Sequence, residues 1–131
     1  MQYFRDLSEN YLSVLTDKQL QGPKLINNLQ LNNNFLTCLD TEVISTWTNL
    51  EILALNRNNL SSLNELSELR RLRSLRLADN MWLCDCRLRW MQKLLNDSTE
   101  KKDFKLDTPK CQKPVHLHMK RISNVKQRVS K

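Results

Sequence analysis

Four cysteines and two histidines carry the most reactive side chains of this 131-residue chain. Cys84 and Cys86 stand one residue apart in the stretch "NMWLCDCRLRW", while Cys38 and Cys111 lie far from them in sequence, and His116 and His118 form an H-x-H. Cys84 and Cys86 cannot easily bond each other, because a disulfide needs Cα atoms about 4.4–6.8 Å apart and a near-perpendicular torsion. Two alternate cysteines on a turn reach instead to two different places. A structural zinc site wants four nitrogen or sulfur ligands at spacings such as C-x2-4-C, so the one-residue gap argues against metal. Redox exchange would want C-x-x-C, which is absent. A cysteine nucleophile needs a histidine and an orienting group beside it in space. With a single glycine the chain has no glycine-rich loop to cradle phosphate. These features predict a non-enzyme with no metal and no cofactor.

The elements that position these residues are set by an internal period. The segments "INNLQLNNNFLTCL" from Ile26, "LEILALNRNNLSSL" from Leu50 and "LRSLRLADNMW" from Leu72 align, and "YFRDLSENYLSVL" is a weaker opening copy. Asn10, Asn34, Asn58 and Asn80 fall in phase at spacings of 24, 24 and 22. This is the leucine-rich-repeat pattern L-x-x-L-x-L-x-x-N-x-L. The apolar positions are Ile26, Leu29, Leu31, Leu36 and Leu39, then Leu50, Leu53, Leu55, Leu60 and Leu63. In the last copy they are Leu72, Leu75 and Leu77, with Trp82 where the next leucine would fall. In the opening copy Arg5 takes a position that should be apolar. The predicted fold class is α/β: a leucine-rich-repeat solenoid with a parallel sheet on its concave face and a cap at its C-terminal end.

Each L-x-L core reads as a short strand with alternate residues facing inward. The phased asparagine sits where the chain turns, and its amide can satisfy backbone groups that would otherwise be buried unpaired. Val43, Ile44, Trp47, Leu66 and Leu69 are expected to close the convex side. No copy can bury its apolar face alone, so stability comes from stacking. The residues between the inward leucines face the concave surface: Asn27, Asn28, Gln30, Asn32 and Asn33; Glu51, Ile52, Ala54, Asn56 and Arg57; Arg73, Ser74, Arg76, Ala78 and Asp79. Within this strip Asn28, Gln30, Asn32, Glu51, Asn56, Arg73 and Arg76 are the candidate protein-binding residues, since solenoids commonly use such surfaces. The plain alternative is that a repeat must show some polar residue at each of these positions.

The net charge of +7 is concentrated at one end. Residues 101–131 hold ten Lys and Arg against two Asp, whereas residues 1–100 hold eleven basic and twelve acidic side chains. The cations run through Lys101, Lys102, Lys105, Lys110, Lys113, Lys120, Arg121, Lys126, Arg128 and Lys131. Lys110, Lys113, Lys120, Arg121, Lys126 and Arg128 are the candidate polyanion-binding set, with a solvated basic face as the bland reading. Nucleic acid is not expected, because Phe104 is the only aromatic in that segment and single strands are usually bound by stacking. No stretch approaches the ~20 consecutive apolar residues of a membrane span, so no membrane insertion is expected. The N-terminus lacks the basic and apolar regions of a signal peptide.

The run "NMWLCDCRLRWMQKLL … CQKPVHL" resembles the C-terminal cysteine-rich cap of secreted leucine-rich-repeat proteins. Leu88, Trp90, Met91, Leu94 and Leu95 fall at helical spacing and could lie over the open end. Carried over from that family, the resemblance implies a Cys84–Cys111 bond, with Cys86 paired to a fourth cysteine about where the chain ends at Lys131. On this reading Cys86 is left without its partner, Cys38 is a small semi-buried thiol, and the chain is a fragment cut at both ends. The expected domains are repeats over 1–80, about four with the first incomplete, and a cap over 81–131 that stops before its fourth cysteine. "LQLNNNFLTCLDTEVISTWTNLEILALNRNNL", "LRSLRLADNMWLCDCRLRW" and "ISNVKQR" resemble the first leucine-rich domain of Slit proteins, over roughly residues 25–128. The resemblance implies a secreted, glycosylated guidance ligand acting through Roundabout receptors and heparan sulfate. Sequons at Asn59 and Asn96 fit a secreted protein, Asn59 at a position expected to be exposed. An unpaired Cys86 in an oxidising compartment would drive disulfide-linked dimers. The rival reading is an intracellular scaffold with reduced cysteines.

Overall fold

The computed structural model describes residues 4–15, 26–40, 44, 46–67, 69–97 and 103–126. Four short strands recur at the L-x-L cores: β1 (Phe4–Asp6), β2 (Asn28–Gln30), β3 (Ile52–Ala54) and β4 (Ser74–Arg76). A fifth, β5 (Lys105–Leu106), follows the helix α1 (Arg89–Asp97). All five form one parallel sheet in chain order. The register places Arg5, Leu29, Leu53 and Leu75 side by side, with Leu106 next to Leu75. This is a leucine-rich-repeat solenoid.

The core is the stack the leucine period dictates. Leu29, Leu53 and Leu75 are fully buried, as are Leu31, Leu55 and Leu77 in the next row and Leu36 and Leu60 beyond them. Each such side chain contributes about 1.5–3 kcal/mol by leaving water. Ile44, Trp47 and Leu69 are buried on the return segments, and Leu66 packs against the same core. Val43 lies outside the described residues. Arg5, standing in the leucine row, is only half-buried.

The phased asparagines knit one coil to the next. Asn58 Oδ1 accepts from Leu36 N at 3.1 Å, and its Nδ2 donates to Leu31 O at 3.0 Å and Leu55 O at 3.1 Å. Asn80 repeats this with Leu60 N, Leu55 O and Leu77 O. Asn34 accepts from both Asn10 N and Leu12 N and donates to Leu7 O and Leu31 O. The residue before each of these asparagines, and before Asn10, has positive φ: Glu9, Asn33, Arg57 and Asp79, between 57° and 60°. The left-handed backbone turns the chain out of the strand, and its cost is offset in part by Arg57 N donating to Ala78 O and Asn33 N to Asn56 O.

The C-terminal end is closed by a different set of groups. Trp82 is fully buried in the last leucine position, and its Nε1 donates to Leu77 O at 2.7 Å. Asp85 accepts from Arg87 N and so caps a 3-10 turn at Cys86–Leu88. That turn separates the two cysteines. Cys84 is buried and bonded to Cys111, with Cα atoms 5.7 Å apart, whereas Cys86 is exposed. Helix α1 presses Met91, Gln92 and Leu95 onto the end of the core, and the Gln92 amide donates to the carbonyls of Ile122 and Val125.

Three expectations need correcting. Cys38 is exposed rather than semi-buried: it follows exposed Thr37 in the irregular segment after Leu36, outside the stack of inward leucines. Ala54 is only 2% exposed, although its position faces the concave side: it is a small side chain in register between the longer Gln30 and Arg76. Asn59 is half-buried rather than exposed: its N–H donates to Leu36 O, which holds it against the preceding coil.

Candidate functional site

The concave sheet presents two outward rows. In the first, Phe4, Asn28, Ile52, Ser74 and Lys105 are in register. In the second, Asp6, Gln30, Ala54 and Arg76 are in register. Charge therefore runs along the sheet, from acidic Asp6 at one edge, through neutral amides, to cationic Arg76 and Lys105 at the cap end. Ser8 donates to the Asp6 carboxylate from its hydroxyl and its backbone N–H, which holds that carboxyl below its usual pKa.

A hollow of about 360 Å³ opens on this face between Asn28, Gln30 and Asn56 on one side and Arg73, Arg76 and Lys105 on the other. The small side chain of Ser74, between Ile52 and Lys105 in its row, leaves the room. The structure brings Asn28, Gln30, Asn32, Asn56, Arg73 and Arg76 of the candidate strip together here. Glu51 stands beside them, held by Arg73 Nε at 3.0 Å. Gln30 Nε2 donates to Asn28 Oδ1 at 2.7 Å. The Oδ1 atoms of Asn27, Asn32 and Asn56 are buried and without a hydrogen-bond partner.

Two residues of this face were assigned otherwise or missed in the sequence. Lys105 read as part of the basic tail, but β5 carries it onto the sheet beside Ser74. The alternation Phe104-Lys105-Leu106 is the signal that could have identified a strand. Asp107 was missed altogether. Its carboxylate accepts from Leu77 N and Ala78 N, both at 2.8 Å, where a further strand would otherwise offer a carbonyl.

The basic cap is a separate surface. Lys110 and Arg121 are paired across an antiparallel bridge, and Lys120 O accepts from Cys111 N, so these three cations are close on the backbone. Lys113 bridges Leu83, and Lys126 follows Val125; all five are exposed. Lys101, Lys102, Arg128 and Lys131 lie outside the described residues. His118 Nδ1 lies 3.1 Å from Gln112 O, and His116 is exposed. Among the described residues no group of His, Cys, Asp and Glu could hold a metal ion, and no helix is long and apolar enough to cross a membrane.

A convex-side groove of about 340 Å³ lies between the last return segment and α1, lined by Leu66, Leu72, Trp90, Leu94 and Phe104. Trp90 Nε1 donates to Leu63 O at 2.8 Å, tying the helix to the third repeat. Of the sequon asparagines, Asn96 is exposed near the end of α1 and Asn59 is half-buried.

Residues 24–81 match the leucine rich repeat family. The crystal structure of human 5T4, also named Wnt-activated inhibitory factor 1 and trophoblast glycoprotein, superposes with a TM-score of 0.75 at 24% identity. The match covers 96% of this chain and 46% of that one, so the chain spans about half the length of that structure. A search of curated proteins found no match. The likeness to 5T4 extends through the cap and establishes the fold.

Proposed function

We propose that this leucine-rich-repeat solenoid is an extracellular protein-binding module that engages its partner through the concave sheet. The observation that carries the reading is the hollow on that sheet, framed by half-buried amides and by Arg76 and Lys105. A rigid stack of strands holds these groups in fixed register, which lowers the ordering cost of binding. The Cys84–Cys111 bond favours an oxidising compartment. Repeats over 1–80 and a cap over 81–131 are the working division. The sequence resemblance supports the finer proposal of a Slit-like ligand with a Roundabout-type receptor. Heparan sulfate would then meet Lys110, Lys120 and Arg121 on the cap, and Cys86 would be available for linkage to a second chain.

The test is an array of purified ectodomains, Roundabout included, probed with the tetramerised chain. A partner bound by wild type, lost with Ser74→Trp and kept with Lys110→Glu/Arg121→Glu is the expected result. Loss with the cap variant alone would contradict the concave assignment.

A further inference from the structure

We infer that the concave hollow selects an extended peptide segment carrying a carboxylate, with the carboxylate placed between Arg76 and Lys105. This deepens the proposed function and rests on it. The argument is one of charge complementarity. Three arginines, Arg57, Arg73 and Arg76, stand on or beside the concave face, and three ion pairs occur among the described residues. Arg73 is neutralised by Glu51 at 3.0 Å, and Arg57 faces Asp79 at 3.8 Å. Arg76 and Lys105 have no ion-pair partner among the described residues, although Asp103 stands on the rim of the same hollow. Both are exposed, on adjacent strands, and both project from the concave face because Ser74 is in register with Lys105 and lies two residues before Arg76.

The rest of the hollow fixes the kind of molecule. Asn28, Gln30 and Asn56 offer neutral donors and acceptors suited to a peptide backbone, and half-buried Ile52 supplies an apolar patch for a side chain. A sulfated glycan would call for a longer run of cations. Two cations beside neutral amides suit one carboxylate on a segment whose remainder is uncharged. Asp6 at the far edge of the sheet repels further acidic groups there, so the segment's negative charge belongs at the cap end.

The experiment selects a phage-displayed random peptide library on the intact chain. The enriched peptides are then synthesised and measured against wild type, Ser74→Trp, Arg76→Gln/Lys105→Gln and Lys110→Gln/Arg121→Gln. Each is also made with Asp and Glu replaced by Asn and Gln, and a heparin octasaccharide is titrated as comparator. The expected outcome is a set of acidic peptides that Ser74→Trp abolishes. Arg76→Gln/Lys105→Gln and the amide replacements should each weaken them about tenfold or more, and the cap variant should leave them within about twofold. Peptides lost with Ser74→Trp but indifferent to Arg76→Gln/Lys105→Gln would overturn the inference and leave the concave reading standing. Peptides indifferent to both variants, or no enrichment at all, would overturn both. An octasaccharide that binds the hollow and loses affinity with Arg76→Gln/Lys105→Gln would replace the peptide with a glycan.

Discussion

At the scale of single residues, buried polar groups decide more than their number suggests. Asn58 is 5% exposed and satisfies Leu36 N, Leu31 O and Leu55 O at once. Leaving a buried backbone group unpaired costs about 1–3 kcal/mol. Asn58→Ala is therefore expected to lower unfolding free energy by about 3 kcal/mol in urea melts. Asp85 provides a pH prediction. Arg87 donates to its carboxylate at 2.8 Å and holds it below the usual carboxylate range. A carboxyl whose folded value is depressed contributes stability that is present above its unfolded pKa and lost as pH falls through the lower folded value. Asp85→Asn should lower the melting temperature near pH 7 modestly and flatten its fall below about pH 4, read by thermal melts across pH. The asparagine phase was legible in the sequence because one side-chain type recurs at one geometry. The left-handed turn before it was not. Asn33 and Asp79 tolerate positive φ, but Glu9 and Arg57 carry no such signal, and only the hydrogen-bonding context holds them there.

At the scale of elements, the repeats were readable and the closure less so. Leucine spacing located β2, β3 and β4, because each inward position is filled by a fully buried side chain. It did not locate β5, two residues long and separated from β4 by the whole of α1. Such a strand exists only because β4 offers a template edge, a tertiary cause that local composition does not encode. Asp107 then ends the ladder. Asp107→Ala leaves the N–H groups of Leu77 and Ala78 without their acceptors and should cost about 2 kcal/mol, with faster amide exchange at those two residues. The two neighbouring cysteines should behave oppositely. Cys84→Ser removes the bond across a separation of 27 residues and should cost about 2–5 kcal/mol. Cys86→Ser, exposed and outside that bond, should fall within about 0.5 kcal/mol of wild type. Equal losses in the two variants would mean that the cap is not held by the Cys84–Cys111 staple.

At the scale of the whole molecule, charge and shape divide the surface in two. The concave sheet carries a graded strip that ends in Arg76 and Lys105, while the cap carries Lys110, Lys120 and Arg121 on a separate backbone pair. The sequence presented the two as one basic tail, because Lys105 precedes the cap cations in chain order. The fold separates them by drawing Lys105 into the sheet. The amides of the strip were visible from alternation alone, whereas the hollow depends on β5 carrying Lys105 beside the small Ser74. The most direct test of the concave assignment is hydrogen–deuterium exchange on the intact chain, alone and saturated with the tightest display-selected peptide. Slowed exchange confined to residues 28–32, 52–56, 74–78 and 103–107, with 110–121 unchanged, is the predicted result. Protection centred on 110–121, with the strands unaffected, would contradict it and place binding on the cap.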